Sequence, residues 1–158
     1  MRFEYIFFYK GYLFETGMKE SVLVPKLVLI ESPFRGDSHD ATRENILYAR
    51  LCVRDSVLRG EAPYASHLFY TQAGILDDTV EEDRMRGINA GLAWGTRAEL
   101  SAFYIDRGFS SGMEYGLANA KEMGRGFENR SLGNVAEVAQ MIEKMSETSP
   151  YIDTGILF

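Results

Sequence analysis

Lys26-Leu27-Val28-Leu29-Ile30-Glu31-Ser32-Pro33-Phe34-Arg35-Gly36-Asp37 runs from a short apolar segment straight into a polar loop. Four apolar residues in succession, bounded by Pro25 and Pro33, predict a strand buried on both faces, as in a parallel sheet covered by helices. A parallel strand needs a crossover to reach its neighbour, and helical spacing follows. Ile46, Leu47, Ala49, Val53, Val57 and Leu58 recur at three- and four-residue steps, predicting a helix over 41–58 with Asp40 as N-cap and Gly60 as its stop. The alternation continues. Residues 65–71 predict a second strand, and the acids from Asp77 to Asp83 open a helix that runs through Trp94. Strands at 99–106 and, more weakly, 125–130 flank a helix over 111–123, and a last helix over 134–147 carries Val135, Val138, Met141 and Ile142 on one stripe. Strand and helix in turn imply an α/β fold, a Rossmann-like parallel sheet with flanking helices.

Outside this core, residues 1–17 read as an aromatic extension, a short strand or a hairpin turning at Gly11, and residues 150–158 as an apolar tail. One α/β domain over 18–149 lies between them, in a chain of 158 residues. With 17 basic against 23 acidic residues, the net charge of -6 repels a phosphate polymer, so no nucleic-acid partner is expected. A single cysteine, Cys52, forms no internal disulfide and fits a reducing, cytoplasmic setting. Charges interrupt every apolar window before it reaches membrane-spanning length, and no signal-peptide pattern stands at the start. The apolar ends exceed what a small core covers, which predicts a homodimer or higher homo-oligomer. Two histidines and scattered carboxylates give no metal-ligand spacing, so neither a metal nor another cofactor is expected.

Ligands of open α/β sheets bind beyond the carboxyl ends of the strands. Three segments are predicted there: the loop carrying Ser32, Phe34, Arg35 and Gly36, the region from His67 to Asp78, and the stretch from Asp106 through Ser110, Ser111, Gly112 and Met113 to Glu114. Arg35 beside a glycine and ahead of a helix suits an anion such as a nucleotide phosphate, or a plain pairing with Asp37 or Asp40. Glu114 is either a first-turn acid favoured by the helix dipole or a nucleophile for an anomeric carbon, and spacing leaves both open. His67 is either a ligand contact or a satisfied structural histidine.

From Leu27 to about Leu132 the chain resembles the nucleoside 2-deoxyribosyltransferase superfamily, which includes the 2'-deoxynucleoside 5'-monophosphate N-glycosidases. The resemblance rests on LVLIESPFRGD and on GMEYGLANAKEMG, similar to a pattern of small-residue turn, nucleophilic Glu, one residue, Gly, one residue, Ala. It implies that Glu114 is the nucleophile. ATRENILYARLCVRDSVLRGEAPYASHLFYTQ further resembles a group of often phage-encoded domains near this superfamily. The chain departs from the pattern at two places. Where the superfamily has a base-contacting Asp this chain has Gly91, with Asn89 the nearest polar residue, and the orienting tyrosine of the first strand is replaced by Ile30 and Glu31, leaving Tyr70 or Tyr104. Two functions follow as expectations: an N-glycosidase or deoxyribosyltransferase-like enzyme acting on a nucleoside or nucleotide, or a non-catalytic nucleotide-binding module using the same cleft.

Overall fold

A computed structural model describes residues 24–148 together with Phe8–Tyr9 and Tyr12–Leu13. The two short segments are strands β1 (Phe8–Tyr9) and β2 (Tyr12–Leu13), paired antiparallel. The rest of the expected extension, its turn at Gly11 included, and the tail 150–158 lie outside the described residues.

The core is an α/β sandwich around a four-stranded, all-parallel, Rossmann-like sheet. In chain order its elements are β3 (Leu27–Glu31), α1 (His39–Leu58), β4 (Ala62–Tyr64), α2 (Ser66–Phe69), α3 (Glu81–Gly95), β5 (Leu100–Tyr104), α4 (Ser111–Glu122), β6 (Gly126–Arg130) and α5 (Val135–Thr148). The strand order is β4-β3-β5-β6. Val28 stands opposite Pro63 on one side and Leu100 on the other, and Tyr104 opposite Arg130. From β3 the chain crosses to one edge of the sheet, and from β5 to the other. Right-handed crossovers therefore place α1 on one face and α3 and α4 on the opposite one, and α5, after the last strand, packs on the α1 face.

Strand periodicity sorts the side chains between these faces. Val28, Ile30, Leu100, Ala102 and Tyr104 join Leu47, Tyr48 and Cys52 of α1 and Val138 and Ile142 of α5 in one buried cluster. Each large apolar side chain enclosed there stabilises the fold by about 1.5–3 kcal/mol. Leu29, Glu31, Ser101 and Phe103 alternate with that set and face α3 and α4.

Two local expectations are corrected. The α1 cap is Ser38, whose Oγ accepts the Ala41 N–H at 3.1 Å; Asp40 already lies within the helix. The stretch 65–71 is not a strand. The strand comes earlier, at Ala62–Tyr64, where Pro63 is tolerated because β4 is an edge. The chain then coils into α2, with Tyr70 N–H bonded to the Ser66 carbonyl at 2.9 Å and the Thr71 hydroxyl to the His67 carbonyl at 2.5 Å. Those bonds override the strand preference of its aromatic residues.

Candidate functional site

The crossovers leave β3 and β5 in opposite directions, so a crevice opens between the carboxyl ends of these adjacent strands, the switch point at which open α/β sheets bind ligands. A cavity of about 330 Å³ occupies it. Glu31 lines it from the end of β3 and Ser32 from the loop that follows, Ser110 to Met113 from the start of α4, and His67 and Tyr70 from α2 and its end.

Glu31 is the last residue of β3, and strand phase turns it toward α4. There Gly116 receives it: a Cβ on that glycine would stand 2.6 Å from Glu31 Oε1 and 2.8 Å from Cδ. Glu31 is half-buried and borders the cavity. Burial raises its pKa from 4.5 to about 8, because a charge there lacks the hydration it has in water. Arg125 pulls the other way without overcoming burial. That guanidinium is itself held by Ser101 Oγ at 2.9 Å, the Gly95 carbonyl at 2.7 Å and Asn119 Oδ1 at 2.9 Å, tying β5, α3 and α4 together. Burial therefore favours the protonated form of Glu31 beside the cavity.

Beside it, Ser32 Oγ and His67 Nε2 share a hydrogen bond of 2.9 Å, with the Phe34 ring packed edge-on against the imidazole. Burial holds the His67 pKa down at about 4, so the ring is neutral and offers one donor and one acceptor. The loop after β3 is fixed from behind. Asn45 Nδ2 donates to the Phe34 carbonyl at 3.1 Å, and the Gly36 N–H to Thr42 Oγ1 at 3.0 Å.

Two arginines meet at the mouth. Arg35 Nε and Arg84 Nη1 both donate to Asp78 Oδ2, at 3.0 and 3.2 Å, and all three residues line the cavity. Arg35 remains 44% exposed while paired with Asp78. Ser110 caps α4, its Oγ accepting the Met113 N–H at 3.4 Å while its carbonyl accepts the Glu114 N–H at 3.1 Å. The N–H groups of Ser111 and Gly112 precede the first intrahelical bond and point outward from the positive end of the helix.

Of the residues expected from sequence, Ser32, Phe34, Arg35, His67 and Asp78 line this cavity, as do Ser110, Ser111, Gly112 and Met113. Four do not. Glu114 is exposed and outside the lining, because Met113, Gly116 and Ala120 form the buried side of α4 and one residue of helix turns the carboxylate about 100° away from it. Asn89 is exposed on α3, where Gly87 and Ile88 face the cavity instead. Gly36 and Asp106 line a second hollow. The Asp106 carboxylate accepts the Tyr48 hydroxyl at 2.6 Å, the Ser131 hydroxyl and the Leu132 N–H at 3.0 Å, so it braces the loop after β5. Of the two tyrosines considered, Tyr70 lines the cavity, and Tyr104 is buried, with its hydroxyl on Asp55 at 2.6 Å. Sequence reasoning passed over Glu31 and Arg84 as site residues; the period-two alternation through Leu29 was the available sign of the first. Among the described residues no cluster of three or more His, Cys, Asp or Glu side chains is placed to hold a metal ion, and no helix is long and apolar enough to cross a membrane.

Residues 26–130 match the model of a domain of unknown function, DUF7768. The chain belongs to that family. The match begins one residue before β3 and ends with β6, so the DUF7768 region contains the whole parallel sheet and every residue named around the cavity, while α5 lies beyond it. No curated protein and no solved structure matches the chain.

Proposed function

We propose that this chain binds a nucleoside or nucleotide in the β3/β5 crevice and hydrolyses its N-glycosidic bond, with Glu31 as the proton donor. The observation that carries the reading is the placement of Glu31: a half-buried carboxyl at the ligand end of the sheet, bordering the cavity, with burial raising its pKa to about 8. Cleaving an N-glycosidic bond needs a proton on the departing base and a nucleophile at the anomeric carbon. Glu31 gives its proton to the base nitrogen as the C–N bond breaks. Water adds to the anomeric carbon, and its proton returns to the Glu31 carboxylate. Ser32 and neutral His67 supply hydrogen bonds for sugar hydroxyls, Arg35 and the Ser111 and Gly112 N–H groups hold a phosphate, and Tyr70 and Phe34 offer ring faces to the base. No step requires a cofactor.

Binding without turnover is the second reading. It is favoured by one observation: the other carboxylates in the cavity, Asp78 and Asp83, are each engaged by an arginine, so Glu31 has no free carboxylate partner of the kind glycosidases pair. The test is incubation with the common nucleosides and their monophosphates, followed by chromatography for free base. Hydrolysis predicts base release by the wild type and its loss in Glu31→Gln with ligand affinity retained. Saturable binding without release would establish the binder, and neither binding nor release would overturn both.

A further inference from the structure

The crevice is one of two hollows that share a wall. The second, about 590 Å³, lies on the α1/α5 side of the strand ends. Arg35 and Ser110 line both. We propose that the site takes a two-lobed ligand, a dinucleotide, with one nucleoside in the β3/β5 crevice and the second in the α1/α5 hollow, joined by a phosphate bridge over Arg35 and Ser110. The inference rests on the function proposed above and names its substrate class.

Three features carry it. Position is the first: β3 and β5 are the strands at which the crossovers reverse, and doubly wound sheets bind dinucleotides across that point with their phosphates at a helix N-terminus. Here the bridging place holds a half-exposed guanidinium and the capping residue of α4. Chemistry of the second hollow comes next. Phe109, 43% exposed, stacks on buried Phe103 with ring centroids 5.6 Å apart, so one face is anchored while the ring remains available as a platform. Val135, 77% exposed, stands at the start of α5 as a facing apolar wall. Arg107, fixed by Asn45 at 2.8 Å and Glu44 at 2.8 Å, adds polar anchorage at the rim. Size is the third: at about 330 and 590 Å³ both hollows fall within the range of small-molecule sites, about 300–1,000 Å³.

The two lobes differ in role. Only the first faces Glu31, so only the glycosidic bond lodged there is cut, and the second nucleoside contributes affinity through Phe109 and Arg107. A linked second lobe adds affinity through effective concentration when the linker spans both hollows.

Isothermal titration of the full chain tests this in two stages. Monophosphates of the common nucleosides are titrated first, and then the symmetric dinucleoside diphosphate of the base that binds. The expected result is dinucleotide binding tighter by about ten-fold or more, equivalent to about 1.4 kcal/mol. Ala139→Trp, which fills the second hollow from an exposed position on α5, should remove that gain and leave monophosphate affinity unchanged. Phe109→Ser should do the same by deleting the platform, guarding against misfolding in either variant alone. Monophosphate binding with no dinucleotide advantage, or an advantage indifferent to both variants, overturns the two-lobed ligand and leaves the crevice reading standing. Failure of every monophosphate and dinucleotide to bind overturns both.

Discussion

Replacing Glu31 by glutamine tests the buried carboxyl without needing a ligand. In the folded chain Glu31 gives up its proton at about 8, whereas in the unfolded chain it does so near the ordinary 4.5. Its folded pKa is raised, so its favourable contribution is fully present below pH 4.5 and is lost as pH climbs through 8. Above 8 the folded state holds a charge that the unfolded state hydrates freely. Taken at face value the difference amounts to at most about 5 kcal/mol. Water reaching the carboxyl through the cavity lowers it toward about 1–3 kcal/mol, the range for a buried polar group left unpaired. Glutamine keeps the size and cannot ionise. Urea unfolding of both proteins from pH 4.5 to 9 should show matching stabilities at the acid end and a widening gap above pH 5, with Glu31→Gln more stable by about 1–3 kcal/mol at pH 9. His67 is neutral in both states above pH 7, so it does not contribute to the alkaline half of that gap. Parallel curves across the whole range would refute the argument that burial governs this carboxyl.

Four further outcomes follow from neighbouring contacts. Gly116→Ala sets a methyl 2.6 Å from Glu31 Oε1, so the carboxylate must retreat; overpacking should cost about 1–3 kcal/mol by urea unfolding, and base release should fall with it. Arg125→Met leaves the Gly95 carbonyl and Asn119 without their donor at about 1–3 kcal/mol each, and removing the positive charge should move the alkaline loss attributed to Glu31 to higher pH. His67, held at about 4 when folded against 6.5 when unfolded, contributes stability that is full above 6.5 and lost as pH falls toward 4, so His67→Gln should flatten that acid limb in urea titrations. Glu114→Ala, on the exposed side of α4, should cost no more than about 1 kcal/mol from the helix dipole and leave base release at the wild-type level in chromatography.

The sheet was legible because its signal is local and strong. Val28, Leu29 and Ile30 admit little but a strand covered on both faces, and the long α1 pattern supplies the crossover that a parallel neighbour requires. The stretch 65–71 was not legible, because its aromatic residues favour a strand only when a neighbouring strand is there to pair with. Pro63 marks the edge where pairing ends, and a single helical turn then satisfies the backbone. The site divides along the same line. Its loops follow from strand ends and could be placed by counting, whereas its decisive side chain depends on which way each element is rotated. Two carboxylates compete for the crevice. Helix phase assigns Met113 and Gly116 to the sheet and turns Glu114 out; strand phase sends Ile30 to α1 and Glu31 to α4. Gly116 then completes the arrangement, since any larger residue would occupy the space in which the carboxylate of Glu31 now lies. Motif spacing along α4 therefore points to one glutamate, and packing between α4 and β3 to the other. In the reaction we propose the second is the proton donor, because burial favours its protonated form.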